Sequence, residues 1–138
     1  MIDIVGCIKL DTSKPERLTY LIACIRSLHS LKSVSSFILS LHNDEPELFD
    51  IISRELSCFE KNVLVKGNPD ISYGDEMLQL IAMGNPQNDF VLNFMEDHFT
   101  LCSARDIFEC CLHMRLYYVQ VTRCTFNEIE YKCASQVI

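Results

Sequence analysis

The stretch "IDIVGCIKLDTSKPERLTYLIACIRSL", residues 2–28, sets the terms for the fold. Its first nine residues are rich in branched apolar side chains and read as a strand buried on both faces. The polar turn "DTSKPER" follows, and then Leu18, Leu21, Ile22, Ile25 and Leu28 recur at the 3–4-residue spacing of an amphipathic helix. Ser13 and Glu16 are spaced as a capping box around Pro15, which fits the first turn because its missing N–H removes no helix bond. A strand leading through a short turn into a helix is the first half of a βαβ unit.

The rest of the chain repeats that unit. "SFILSLHND", residues 36–44, is a second strand; Asp44 is spaced to cap the next helix, with Glu47 as its reciprocal partner. Leu48, Ile51, Ile52 and Leu56 form the stripe of that helix. "NVLVKGN", residues 62–68, predicts a third strand, and "GNPD" ends it. A third helix starts near Ser72 and stops at Gly84. "DFVLNFME", residues 89–96, is a fourth strand, a fourth helix opens at Ser103 and Asp106, and "LYYVQVTRC" supplies a fifth strand. The alternation predicts an α/β fold: a mostly parallel sheet of about five strands covered by helices in a Rossmann-like three-layer arrangement. Neither repeats nor linkers interrupt it, so residues 1–138 are expected to form a single domain.

Composition narrows the function classes. The 138 residues carry 12 Lys and Arg against 19 Asp and Glu, a net charge of -7. The basic residues are scattered, which argues against a nucleic-acid binder, since phosphate contacts need clustered cations. No apolar run approaches the length of a transmembrane segment. The eight cysteines include no C-x-x-C pair, so neither a zinc ribbon nor a thioredoxin-like motif is indicated. With a strand-like run in place of a secretory leader, reduced thiols and a cytoplasmic location are expected. His29, His42 and His113 read as ordinary helix or strand-end histidines.

In an open α/β sheet, ligands bind at the carboxyl ends of the strands. That rule selects "LDTSKPER", "LHNDE", "GNPDISYGD" and "MEDHF", and so Asp11, Asp44, Asp75, Glu96 and Asp97 as candidates for one rim. The commonest task of Asp at such places is capping or turn formation. "MEDHF" differs, because Met95, Phe99 and Leu101 surround its polar residues. Carboxylates in apolar surroundings need a partner, and a divalent cation with carboxylate and imidazole ligands supplies one. Oxygen donors favour Mg²⁺ or Mn²⁺, and the imidazole favours Mn²⁺.

These segments, in this order, resemble a glycosyltransferase of the GT-A type, related to family 2. "GDEMLQLIAMGNPQNDFVLNFMEDHFTL", residues 74–101, is similar to the part of that family where a helix leads to a strand ending in a short D-x-D-like acidic motif. Here the motif is Glu96-Asp97-His98. "IVGCIKLDTSKPERLTYLIACIRSL" resembles the family's first strand, turn and helix, and "FILSLHND" its second strand. The resemblance spans residues 2–126. It implies a metal-dependent transfer from a nucleotide-diphosphate sugar donor to an acceptor it does not identify. Thr12 and Arg17 would line the nucleotide pocket, Asp44 would face the base, and Asp97 would approach the ribose or sugar. Glu96 and His98 would hold a divalent cation, Mn²⁺ or Mg²⁺. His98 departs from the usual final carboxylate. The chain also ends soon after the fifth strand, where the family continues into an acceptor site and catalytic base. The expectation is therefore the donor-binding half, truncated at its C-terminus, with a protein partner or homo-oligomer completing the site. The alternative is a non-catalytic or partner-dependent binding module of the same fold.

Overall fold

The computed structural model describes residues 2–31, 34–88 and 90–95, all within a compact unit, Met1–Leu101. The elements are β1 (Ile2–Lys9), α1 (Glu16–Ser27), β2 (Val34–His42), α2 (Pro46–Leu56), β3 (Lys61–Lys66), α3 (Tyr73–Ala82) and β4 (Phe90–Asn93). The four strands form one parallel sheet in the order β3-β2-β1-β4. The α/β class and parallel sheet expected from the sequence are present. The expected fourth helix and fifth strand lie outside the described residues.

The order follows from the chain path. β1 to β2 to β3 steps in one direction; β4 then returns to the far side of β1. Right-handed crossovers place α1 and α2 on one face and, after the reversal, α3 on the other. β1 and β2 are almost wholly buried, as strands covered on both sides must be. Ile4, Ile8, Phe37, Leu39, Leu41, Leu21, Ile25, Ile52 and Leu56 are at most 1% exposed. Each such side chain contributes roughly 1.5–3 kcal/mol of transfer free energy. On the α3 face, Val5, Ile38 and Leu80 pack with Cys7, Val63, Val65 and Met77.

Two of the expected helix caps take other forms. The N-cap of α1 is Pro15, with no side-chain bond. The Ser13 hydroxyl and amide both donate to Asp11 Oδ1 instead, at 2.7 and 3.0 Å, so the predicted partner of Glu16 closes a tighter local turn. The N-cap of α2 is Glu45, Pro46 follows at N1, and no side chain caps the helix. Asn43 Oδ1 holds the Glu45 amide at 2.8 Å, while Asp44 pairs with Lys66. α3 is capped as expected: Ser72 Oγ accepts from the Asp75 amide at 3.1 Å. Its last turn has no basic residue, and Lys61 Nζ at the start of β3 donates to Met83 O at 2.7 Å, where the helix dipole favours a cation.

The β1–β2 seam on the α3 face has a distinct pattern. Its in-register pairs are Asp3/Ser36, Val5/Ile38, Cys7/Ser40 and Lys9/His42. Polar pairs therefore flank an apolar middle. At the amino end Asp3, 3% exposed, accepts from the Asn85 amide (2.9 Å), Asn88 Nδ2 (2.7 Å) and the Ser36 hydroxyl. This buried carboxylate ties the loop after α3 to the bottom of the sheet.

Candidate functional site at the carboxyl edge of the sheet

The carboxyl ends of β1 and β2 leave the sheet side by side. Asn43 Nδ2 donates to Leu10 O at 3.1 Å, which locks the two exits together. Asp11 and Thr12 follow β1 and are exposed; Arg17 lies half-buried in the first turn of α1. Asp11 is held below the usual carboxylate range by the Ser13 hydroxyl and amide, with smaller help from Lys14 and Arg17. Asp44 stands after β2 and pairs with Lys66 Nζ at 2.5 Å; that bond and the charge of the lysine lower its pKa. Asp75 accepts the Ser72 hydroxyl at 2.8 Å and belongs to the α3 cap. Thr12, Arg17 and Asp44 thus lie at the carboxyl edge where they were expected. Glu96, Asp97 and His98 lie outside the described residues.

β4 runs parallel to β1, with Ile2 opposite Phe90 and Val5 opposite Asn93, and the Phe94 amide donates to Val5 O at 2.8 Å. The reversal of strand order therefore falls between β1 and β4. Open α/β sheets place a ligand crevice at such a switch point.

A second group of side chains that could bind a ligand was not anticipated. Cys7, His42 and Glu76 converge near the carboxyl edge on the α3 face, from β1, β2 and the first turn of α3. The Cys7 thiol donates to Glu76 Oε2 at 2.9 Å, and His42 Nε2 lies 2.6 Å from the same oxygen. Cys7 Sγ and His42 Nε2 are 3.4 Å apart. The other carboxylate oxygen, Oε1, accepts from the Asn68 amide at 3.1 Å. Glu76 is 5% exposed, whereas His42 keeps about a fifth of its side chain (22%) in solvent.

The electrostatics follow from that geometry. Burial alone would raise the Glu76 pKa, but hydrogen bonds from Cys7, His42 and Asn68 outweigh it and the carboxyl is held below its usual value. Burial first, then the Glu76 carboxylate, pushes the Cys7 thiol up to about 11. Ser40 Oγ is fully buried and has no hydrogen-bond partner among the described residues. A neutral thiol beside an ionised carboxylate is a poor nucleophile. What the group offers instead is three ligand atoms, sulfur, nitrogen and oxygen, gathered around one point.

Sequence reasoning treated His42 as an ordinary strand-end residue and passed over Cys7 and Glu76. One signal was available: Glu76 sits one helical turn before Leu80, on the buried stripe of α3, where a carboxylate needs a partner. Its partners are 69 and 34 residues away in the chain, and only the strand register brings them together.

Comparisons with protein-family models, curated proteins and solved structures found no significant match to this chain. Among the described residues, the carboxyl edge of this all-parallel α/β sheet carries two features: the reversal of strand order between β1 and β4 and a semi-buried Cys-His-Glu cluster.

Proposed function

We propose that this chain is the donor-binding domain of a glycosyltransferase, holding a nucleotide-diphosphate sugar in the crevice between the exits of β1 and β4. The observation that carries the reading is the strand order. Reversal of the chain path beside β1 gives the sheet a switch point, flanked by Asp11 and Thr12 after β1 and, in sequence, by Glu96-Asp97-His98 three residues after β4. Asp44 and its lysine partner border the same edge one strand away, which suits recognition of a base.

Among the described residues, the rim carboxylates are already engaged, Asp11 by Ser13 and Asp44 by Lys66. A divalent cation on the diphosphate therefore rests on Glu96 and His98. Bound there, it would stabilise the charge that grows on the leaving diphosphate. Thr12 and Asp44 would position the nucleotide, and Asp97 the ribose or sugar. No residue is assigned as catalytic base, and a partner or second copy would supply the acceptor side.

Thermal unfolding with UDP, GDP, CDP and ADP and their sugars, each with and without Mn²⁺, tests this, because a ligand that binds only the native state raises its stability. The expected result is a rise requiring both one nucleotide and the metal, lost in Glu96→Ala and in His98→Ala. Asp44→Ala should leave the unliganded melting temperature nearly unchanged, since solvent screens an exposed ion pair, yet weaken the nucleotide response. No response to any nucleotide would sink the reading for this chain acting alone.

A further inference from the structure

We infer that Cys7, His42 and Glu76 form a binding site for Zn²⁺ and supply three of its ligands. This site shares no residue with the proposed donor site and does not depend on that reading.

The donor set is the first ground. Thiolate is soft, imidazole borderline and carboxylate hard, a mixture that suits Zn²⁺ and excludes Mg²⁺ and Ca²⁺, which take oxygen ligands. Charge is the second. A thiolate, a carboxylate and a neutral imidazole sum to minus two and cancel the dication, so the occupied site is neutral in a half-buried place where net charge would be costly. Among the described residues no other Cys, His, Asp or Glu joins the cluster, so these residues supply three ligands of a four-coordinate site. The exposed edge of His42 marks the side from which it is reached.

The surroundings form the third ground. The Asn68 amide holds Glu76 Oε1 and leaves Oε2 facing the sulfur and nitrogen. Gly67 lets the His42 ring lie against the backbone, where a Cβ would collide with it. Ser40, buried without a hydrogen-bond partner among the described residues, stands in register with Cys7, where its hydroxyl can donate to a metal-bound thiolate. Outer partners of this kind orient metal ligands and tune their basicity.

The three donor atoms now lie 2.6–3.4 Å apart. Zinc bonds of about 2.0–2.3 Å in tetrahedral geometry need ligand separations of roughly 3.3–3.6 Å. Closing on the metal therefore moves Glu76 Oε2 outward by several tenths of an ångström and replaces the two hydrogen bonds it accepts. The proton balance is simple. The Cys7 thiol loses its proton to solvent as the Zn–S bond forms, Glu76 is already ionised, and His42 gives up the Nε2 hydrogen that it donates to Glu76, so that the ligating ring is neutral with its hydrogen on Nδ1. A neutral His42 moves that hydrogen between its two nitrogens through solvent, which leaves one proton released per zinc; an imidazolium releases a second.

The test is titration of the reduced full-length chain with Co²⁺, followed by displacement with Zn²⁺. The expected result is one equivalent of Co²⁺ giving a thiolate-to-cobalt charge-transfer band and tetrahedral ligand-field bands, both removed by Zn²⁺. Cys7→Ser should lose the charge-transfer band, and His42→Ala and Glu76→Gln should each weaken Zn²⁺ binding at least tenfold. A wild-type protein without the band, or a Cys7→Ser variant that keeps it in full, overturns the site. Should Cys7→Ser fail to fold, alkylation of wild-type protein read residue by residue decides. Zn²⁺ should slow modification of Cys7 and leave Cys58 unchanged; equal Cys7 rates with and without Zn²⁺ refute the inference. Glu96→Ala should bind Zn²⁺ like the wild type, which keeps failure of this site distinct from failure of the donor site.

Discussion

The His42 ring fills the space that a side chain at position 67 would occupy: a Cβ built on Gly67 would meet Cδ2, Nε2 and Cγ of the imidazole. The turn after β3 thus sets where the last side chain of β2 points. Gly67→Ala should swing the partly exposed ring away from Glu76 at a cost to folding on the order of 1 kcal/mol. Imidazole NMR shifts of His42 report this directly; unchanged shifts in the variant would refute the steric argument.

Alkaline pH should loosen the fold through Cys7. The folded pKa is raised from 9.0 to about 11, so the unfolded chain gives up its proton first. The neutral thiol's contribution is fully present below pH 9 and is lost as pH rises toward 11. Urea midpoints measured across that range should fall more steeply for wild type than for Cys7→Ser. Parallel slopes would show that the thiol is not coupled to folding.

Acid works through Glu76 with the opposite sign. Hydrogen bonds from Cys7, His42 and Asn68 hold its folded pKa below the ordinary glutamate value. The unfolded state therefore binds the proton first, and the stabilisation present above pH 4.5 disappears as pH falls through the folded value. Glu76→Gln keeps the shape without the charge, so its stability should depend less on pH in this window. A variant that tracks the wild-type acid profile would assign that profile to other carboxylates.

At the far end of the same seam, Asp3→Ala would strand the Asn85 amide, the Asn88 side chain and the Ser36 hydroxyl. Loss of a buried group with several partners costs about 2–4 kcal/mol. Gly84→Ala attacks the same clamp from outside, because its Cβ would run into Asp3 Oδ2 and lie 3.1 Å from Ile81 O. Chemical denaturation of both variants checks this. Losses under about 1 kcal/mol in both would mean that the loop after α3 is held by something else.

The sequence carried the order of the elements well, because period-2 and period-3.6 patterns survive in isolation. β1 through β4 and α1 through α3 fall where those patterns place them, and the Ser72 cap is as expected. It carried less where short polar residues have more than one partner within reach. Ser13 turned to Asp11 and Asp44 turned to Lys66, and both choices depend on side chains that a capping rule does not weigh. The Cys-His-Glu cluster was hidden for a different reason. Cys7 and His42 share a face only because Lys9, two residues beyond Cys7, is the register partner of His42, and register is a property of paired strands.

β1 has two unequal neighbours. β2 follows it from Ile2 to Lys9, whereas β4 accompanies it only from Ile2 to Val5 and then gives way at Phe94, whose ring and carbonyl would crowd a Cβ at Gly6. The sheet therefore ends in a stair, with a tread of four residues, Gly6 to Lys9, rising roughly 13 Å above the last β4 pairing. Along that tread the outward peptide groups of β1 have no strand beside them among the described residues. Peptide groups in that position require water, further chain or a bound molecule to satisfy them. The need for a partner along that step therefore belongs to the main chain of β1 itself, and not only to its flanking side chains.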